Sequence, residues 1–294
     1  MLVYLDQVAS IGPDSAVGKR RGRGLNENLA REVMELHSLG VNANYSQSDV
    51  REMAELLTGL DANADEGFLF HENWAQPGPE TVLGKTYSGK GVTPIKEALQ
   101  DLARRPETAK HISWKLAVHF VSDKPPAELI EAMTAAYSEQ GGDLFAVYTA
   151  MLNHPAAWEP RMTKARQPYD FIVASLRALG VSGAAVMEMR GPILSRMLLR
   201  PMSLMGQSWR NPNGPDGWPE AAENWITPQG LAIRIRWGME VPGRLVTPMP
   251  DPREFALHAL GAAADEQLLW AVDRAESQRE GVGLVFASPA FNRR

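Results

Sequence analysis

The chain contains no cysteine, no long apolar run and no excess of positive charge. Without cysteine it has no disulfide framework, no thiolate metal ligand and no cysteine nucleophile. No stretch approaches the roughly 20 consecutive apolar residues that a membrane-spanning helix needs. Thirty basic and 35 acidic residues give a net charge of −5, which provides no overall attraction to nucleic acid or to an anionic membrane. These absences exclude several classes of protein without indicating an activity.

The residues that are present are typical of a folded helical protein. Forty-four per cent of the 294 residues are hydrophobic, and apolar residues recur at helical spacing over 26–39, with Asn26 as the expected N-cap and Gly40 as the expected end. Ser46 and Asp49 match a capping box. Further helix starts are marked by a capping residue followed by proline: Thr93-Pro94, Thr227-Pro228 and Asp251-Pro252. We therefore predict a mainly α fold, a multi-helix globular bundle with long ordered loops.

The same patterns predict a simple domain organisation. We expect one helical domain over 26–294, preceded by a lead-in segment at 1–25. Residues 61–92 show no sustained period and are predicted as a long ordered loop, with a short hairpin as an option. Residues 200–252 contain nine of the 21 prolines and four of the eight tryptophans, and we predict that this segment packs on the helical body.

A family resemblance follows from the first helix. Residues 26–41 read Asn-Glu-Asn-Leu-Ala-Arg-Glu-Val-Met-Glu-Leu-His-Ser-Leu-Gly-Val, which closely resembles the signature of the domain of unknown function 1800 (DUF1800) family. The resemblance continues in order through residues 45–50, 57–59, 81–84, 106–120, 142–144, 177–180, 217–219 and 287–294. It therefore covers nearly the whole chain.

The resemblance implies a largely helical bacterial protein, in a family whose members often carry an export signal. Their genes frequently neighbour those of another uncharacterised family, DUF1501, which resembles sulfatases. No activity or cofactor comes with the family. Members usually have a helical region before this motif, so we expect this chain to be the C-terminal portion of a longer protein. Its location is then cytoplasmic as the chain stands, or periplasmic or exported if that region is missing.

One departure from the family pattern concerns the loop. Family members tend to have a basic residue just before the Thr-x-Leu-Gly motif, where this chain has Glu80. That reversal of charge disfavours an anion-binding role for the loop.

The first predicted helix carries Asn28, Arg31 and Glu32 on its polar face. A carboxylate held by an arginine is suited to binding a ligand, or to acting as a base, and Glu32 is the candidate for that catalytic role. The alternative is a solvated polar face joined by ion pairs three or four residues apart. His37 falls on the apolar side of the same helix, where a catalytic role competes with that of a satisfied core histidine.

His111, Lys115 and His119 stand four residues apart on another, strongly apolar helix. Two imidazoles flanking an ammonium are suited to binding phosphate, sulfate or carboxylate, and Lys115 is also a candidate catalytic base. The alternative is a solvent-facing stripe with the lysine extended along the surface. A metal site is disfavoured, because the two histidines are about 12 Å apart at roughly 1.5 Å per helical residue.

His71 and Glu72 lie in the predicted loop, but they do not form the His-Glu-x-x-His metal helix because residue 75 is alanine. His71 is kept as a candidate ligand-binding residue. The sequence indicates no metal site and identifies no cofactor.

Trp218 and Trp225 lie among asparagine and aspartate residues in the 200–252 segment. Such a mixture is suited to stacking on a sugar or another planar ligand, which makes both tryptophans candidate ligand-binding residues. The alternative is that these rings are buried and attach the segment to the helices.

These patterns support two hypotheses of function. In the first, an envelope-associated bacterial protein binds or acts on a polar anionic or sugar-like ligand, in a cleft between the first helix and the helix of Lys115. In the second, the tryptophan-rich segment makes the chain a non-catalytic partner of the sulfatase-like neighbour. The sequence does not decide whether the protein is an enzyme.

Overall fold

Helices dominate the computed structural model, which describes residues 1–21, 24–160 and 162–294, so the predicted mainly α fold is confirmed. The chain divides into two compact units. Unit 1 comprises Met1–Phe120 and Pro125–Trp158, and unit 2 comprises Val121–Lys124 and Glu159–Arg294. None of the described helices combines the length and the apolar character needed to cross a membrane.

Unit 1 contains seven α-helices and two antiparallel hairpins among its described residues. The helices are α1 (Gly18–Arg21), α2 (Asn28–Glu35), α3 (Gln47–Leu56), α4 (Thr93–Ala103), α5 (Pro106–Phe120), α6 (Ala127–Glu139) and α7 (Leu144–Asn153), with 3-10 turns at Gln7–Ala9 and Pro155–Trp158. Strands β1 (Leu60–Asn63) and β2 (Gly67–Phe70) form the first hairpin, and β3 (Glu80–Val82) and β4 (Lys85–Tyr87) form the second.

The region predicted as one long loop is therefore built around two hairpins. Their strands are three or four residues long, which is too short to produce a recognisable alternation in the sequence. The first turn is closed by the Asn63 side chain, whose Oδ1 accepts hydrogen bonds from the backbone N–H groups of Asp65 (3.0 Å) and Glu66 (2.7 Å).

The predicted lead-in segment takes part in the core of unit 1. Leu5, Ile11 and Val17 are buried, and the Gln7 side chain donates a hydrogen bond of 2.8 Å to the carbonyl oxygen of Leu57. This segment has no helical period, so its burial was not visible in the sequence. Gly22 and Arg23 of the same segment lie outside the described residues.

The described residues of unit 2 form helices joined by turns and irregular segments, with one isolated β-bridge and no strand. Its helices are α8 (Pro168–Ala178), α9 (Gly183–Met187), α10 (Gly191–Leu194), α11 (Arg200–Leu204), α12 (Pro228–Glu240), α13 (Pro242–Leu245), α14 (Pro252–Leu260), α15 (Glu266–Asp273) and α16 (Gln278–Ala287). A π-helical turn at Ser195–Leu199 joins α10 to α11, and 3-10 turns lie at Ala222–Asn224 and Gly261–Ala263.

An aromatic cluster forms the centre of unit 2. Trp237 and Phe286 pack edge-to-face at 5.7 Å, Phe286 contacts Phe291 at 4.9 Å and Phe255 at 5.3 Å, and Phe171 contacts Trp237 at 5.6 Å. These five rings come from four helices and the C-terminal segment, so burial of their apolar area joins those elements.

Candidate functional site

His111 and Lys115, two of the candidates on α5, lie at the C-terminal end of α2. His111 donates a hydrogen bond of 3.1 Å from Nε2 to the carbonyl oxygen of Leu36, and the Lys115 ammonium lies 3.5 Å from the same oxygen. The last carbonyls of a helix have no partner within the helix, so both side chains complete the end of α2. Gly40 follows at φ +91°, and a Cβ there would lie 2.8 Å from Nδ1 of His111, so the close approach requires glycine.

Partial burial, together with the charge of Lys115, makes the His37 and His111 imidazoles weaker bases. The pKa of His37 is lowered by burial and by the nearby Lys115 and His111. The pKa of His111 is also lowered, chiefly by burial and against the opposing hydrogen bond to Leu36. Both rings are therefore mainly neutral at physiological pH.

Two cavities adjoin this group of residues, and the first is mainly apolar. A cavity of about 510 Å³ adjoins His37 and is otherwise lined by Leu29, Val33, Ile112 and Leu102 among others. His111 and Lys115 do not line it. A second cavity, of about 480 Å³, is lined by His111, Glu107 and Lys110 of α5 and by residues 39–43, which follow α2. A ligand cleft at the end of α2 therefore stays a prediction.

The polar face of α2 contacts α3. The Arg31 guanidinium lies 3.4 Å from Glu27 and donates to Oε1 of Gln47 at 2.9 Å, and the Gln47 amide donates to Glu27 at 2.8 Å. Asn28 is exposed, and Glu32 is half-buried near Tyr45. This network joins the starts of two helices, and a ligand role for these residues stays a prediction.

The two remaining histidine candidates lie in separate surroundings. His71 donates from Nε2 to Asp61 at 2.9 Å across the first hairpin and packs on Trp74 at 4.4 Å. His119 contacts the Phe120 ring edge-to-face at 4.6 Å. The contacts of His71 with Asp61 and Trp74 lie within and beside the first hairpin, whereas His111 and Lys115 lie at the end of α2.

Two tryptophans of the tryptophan-rich segment pack on each other, and a third, Trp209, packs on α8. Trp225 is buried and donates from Nε1 to the carbonyl oxygen of Pro219 at 2.9 Å, and Trp218 packs edge-to-face on it at 6.2 Å. Trp209 is 47% exposed and stacks on Tyr169 at 5.5 Å. Of these tryptophans, Trp209 presents the most open ring.

Unit 2 also contains a buried ion cluster that the sequence reading missed. Lys164 is 1% exposed, and its ammonium lies 2.6 Å from Asp123 and 3.0 Å from the Glu220 carboxylate, with the Glu220 carbonyl at 3.1 Å. The second oxygen of Asp123 accepts the backbone N–H of Ala222 at 2.8 Å. Two carboxylates thus compensate one buried cation, which attaches residues 219–222 to the body of the unit.

A second buried cation organises the C-terminal segment. Arg234 is fully buried, and its guanidinium donates to the Asn292 side chain at 3.0 Å and to the carbonyl oxygen of Arg166 at 2.8 Å. Burial lowers the pKa of Arg234 to about 10, so it remains charged at neutral pH. Backbone bonds from Arg166 to Asn292 (2.9 Å) and from Arg294 to Lys164 (2.8 Å) complete this pairing of residues 164–166 with 292–294.

This pairing creates a charged cavity of about 530 Å³ in unit 2, which we call the C-terminal pocket. Its polar lining consists of Arg166, Asp170, Arg177, His258 and Arg294, and its apolar lining comes from Val173, Ala174, Ala178, Ala259 and Phe291. Arg166 donates from Nε to the carbonyl oxygen of Phe291 at 2.7 Å, and Arg294 pairs with Asp170 at 3.1 Å.

Among the described residues, no group of three or more histidine, aspartate or glutamate side chains is arranged to hold a metal ion.

Sequence reasoning did not single out the residues of the C-terminal pocket. Arg166 and Arg294 are far apart in the chain and show no motif spacing. One signal was present: residues 177–180 and 287–294 are both among the segments that carry the family resemblance, and both contribute to this pocket.

Comparison with known proteins gives a single result. The family model described as "Protein of unknown function (DUF1800)" matches residues 1–293. No curated protein and no solved structure matches the chain.

Proposed function

The chain belongs to the DUF1800 family of proteins of unknown function, and we propose that it binds a small anionic ligand in the C-terminal pocket. This proposal keeps the anionic ligand class suggested by the sequence and moves the site from the α2–α5 cluster to unit 2. The ligand carries a carboxylate or phosphate group.

The observation that carries the proposal is the excess of positive charge around the cavity. Among the side chains of the lining, Arg166, Arg177 and Arg294 are positive and Asp170 alone is negative. A planar guanidinium presents several N–H donors that match the geometry of carboxylate and phosphate oxygens. A neutral sugar would leave this charge uncompensated.

The pocket is also organised before a ligand arrives. Arg166 is held by its bond to Phe291 and lies over the Phe291 ring at 5.3 Å. Burial lowers the pKa of Arg166, which reflects a guanidinium already partly removed from water. A fixed and partly dehydrated cation loses less conformational freedom and less hydration on binding an anion, and this favours affinity.

Isothermal titration calorimetry with citrate, inorganic phosphate and glucose tests the proposal. We expect heat of binding with at least one of the two anions and none with glucose. Arg177→Gln should weaken anion binding about tenfold, because an exposed cation of the lining is removed without disturbing the core. Arg190→Gln is the matched control, since Arg190 is an exposed arginine of the same unit that does not line the pocket.

Two results would contradict the proposal. One is the absence of any anion binding by the folded protein. The other is an equal affinity of wild type and Arg177→Gln.

Protein–protein interaction through the tryptophan-rich segment is a second candidate function. It is favoured by the exposed pair of Trp209 and Tyr169, beside which the Arg210 guanidinium lies 5.4 Å from the Trp209 ring. Trp209→Ala should then abolish co-purification with the DUF1501 neighbour, whereas retained co-purification would contradict this candidate. The neighbour and an envelope location remain predictions from the family resemblance.

A further inference from the structure

A second cavity of unit 2, of about 390 Å³, lies between the helix that contains the π-helical turn and helix α12. We call it the π-helix groove. Four exposed arginines line it: Arg196, Arg200, Arg236 and Arg244. It shares none of its lining residues with the C-terminal pocket.

The four arginines form the rim of the groove, and most of their charges are uncompensated. Arg236 pairs with Glu240 at 3.1 Å, and Glu240 is the only acidic residue of the lining. In the part of the chain that the structure describes, no carboxylate lies within ion-pair distance of Arg196, Arg200 or Arg244. Three cations therefore face the groove in a chain whose net charge is −5.

The floor of the groove is apolar. Met197, Trp237 and Val241 are buried in the core behind it, and Leu204 and Ile233 extend the apolar surface toward the rim. A ligand with only a charged group would leave this apolar surface in contact with water.

The π-helical turn has an identifiable cause. Pro201 has no N–H, so it cannot donate to the carbonyl oxygen of Met197 as residue i+4 of a regular helix would. The Trp237 indole donates to that oxygen instead, at 2.8 Å, while the N–H of Arg200 bonds to Ser195, five residues before it. The turn is thereby locked to α12, which holds Arg196 and Arg200 at the edge of the floor.

From this juxtaposition of an arginine rim and an apolar floor, we propose that the π-helix groove binds a single-chain amphipathic anion. Its phosphate, sulfate or carboxylate group lies between the arginines, and its apolar chain covers the floor beside Leu204. The volume lies within the roughly 300–1,000 Å³ that is usual for small-molecule sites, which favours a free amphiphile over a protein helix. This site and its ligand are independent of the C-terminal pocket.

Calorimetric titration with octyl phosphate, kept below its micelle concentration, tests the proposal against two partial ligands. Inorganic phosphate has the charge without the chain, and octyl glucoside has the chain without the charge. We expect octyl phosphate to bind at least about tenfold more tightly than either, with a negative heat-capacity change from burial of its chain. The titrations are made in the Arg177→Gln variant, so that phosphate binding in the C-terminal pocket is weakened. Equal affinity of that variant for octyl phosphate and either partial ligand would overturn the proposal.

Variants locate the binding on the groove. Arg196→Gln/Arg200→Gln should weaken octyl phosphate binding at least about tenfold, and Leu204→Asn should weaken octyl phosphate more than inorganic phosphate. Arg190→Gln, an exposed arginine outside the lining, is the control and should change nothing. Undiminished binding by the folded double variant would overturn the proposal. So would co-sedimentation with anionic phospholipid vesicles without any binding of monomeric octyl phosphate, because the groove would then belong to a membrane surface.

Discussion

The polar stripe of α5 in unit 1 and the arginines of unit 2 are both clusters of hydrogen-bond donors, but the two clusters face different surroundings. His111 and Lys115 point at a backbone oxygen that ends another helix. Arg177 and Arg200 line cavities in which positive side chains outnumber negative ones. The first arrangement satisfies the protein's own polar groups, whereas the second leaves charge for a ligand.

The difference shows what a polar stripe on an apolar helix indicates. Such a stripe requires a polar partner, and in unit 1 that partner is the unsatisfied carbonyl of Leu36. A site for an anion requires in addition a cavity and an excess of positive charge. Residue spacing along one helix predicts the stripe, but it predicts neither a cavity nor an excess of charge.

The largest expected effect is a difference in stability between two lysine variants, one in each unit. Lys164→Met should lower the free energy of unfolding by about 3 kcal/mol or more, because Asp123 and Glu220 would face each other without their cation. Lys115→Met should change it by no more than about 0.5 kcal/mol, since Lys115 is exposed. Urea denaturation of both variants measures this difference. Equal losses of unfolding free energy would contradict the contrast between the two units.

Glu80 tests whether unit 1 contains an unfavourable charge of its own. Burial and the neighbouring Glu55 and Glu52 raise the pKa of Glu80 from 4.5 to about 7. The folded state therefore holds this proton more tightly than the unfolded chain does, and stability falls as the pH rises from about 4.5 to 7. Above that range the penalty is fully present.

Glu80→Gln should remove this penalty. We expect a gain of about 2–3 kcal/mol in the free energy of unfolding at about pH 8, and no gain at about pH 4. Urea titrations at the two pH values make the measurement. A loss of stability at the higher pH would contradict this expectation, because it would show that the Glu80 carboxylate makes a stabilising interaction in unit 1.

A smaller effect is expected for the histidine at the end of α2. His111→Ala should cost about 1 kcal/mol near pH 8, through loss of the hydrogen bond to Leu36. Burial lowers the pKa of His111, so the fold disfavours its protonation, and wild-type stability should fall as the pH drops below about 6.5. The variant should show a shallower acid decline in thermal melts. An unchanged slope would contradict the assigned burial.

The elements that the sequence could predict are those whose signals are local. Ser46 and Asp49 form the expected capping box, with Ser46 N–H to Asp49 at 2.8 Å and Asp49 N–H to Ser46 at 3.1 Å. Thr227 accepts the N–H of Gly230 at 3.0 Å at the start of α12. Each partner lies three residues away, so residue type and spacing suffice to predict it.

The hairpins and the candidate sites depend on contacts that no local pattern contains. Strands of three or four residues have too few side chains to show alternation, and the α2 stripe looked the same whether it faced a ligand or α3. Arg166 was unremarkable in the sequence because its partner Phe291 lies 125 residues further along the chain.

The sequence by itself determined the mainly helical fold and several helix starts, because capping, proline placement and periodicity act within a few neighbouring residues. The family followed from its motifs. The caps of α2 and α4 are Glu27 and Val92 rather than the expected Asn26 and Thr93. Only the tertiary structure decided which cations pair with groups of the protein itself and which line a cavity. The reason is physical: the free energy of a charge depends on its burial and on what lies within a few ångströms. For Arg166, Lys164 and Arg200, folding alone sets those neighbours.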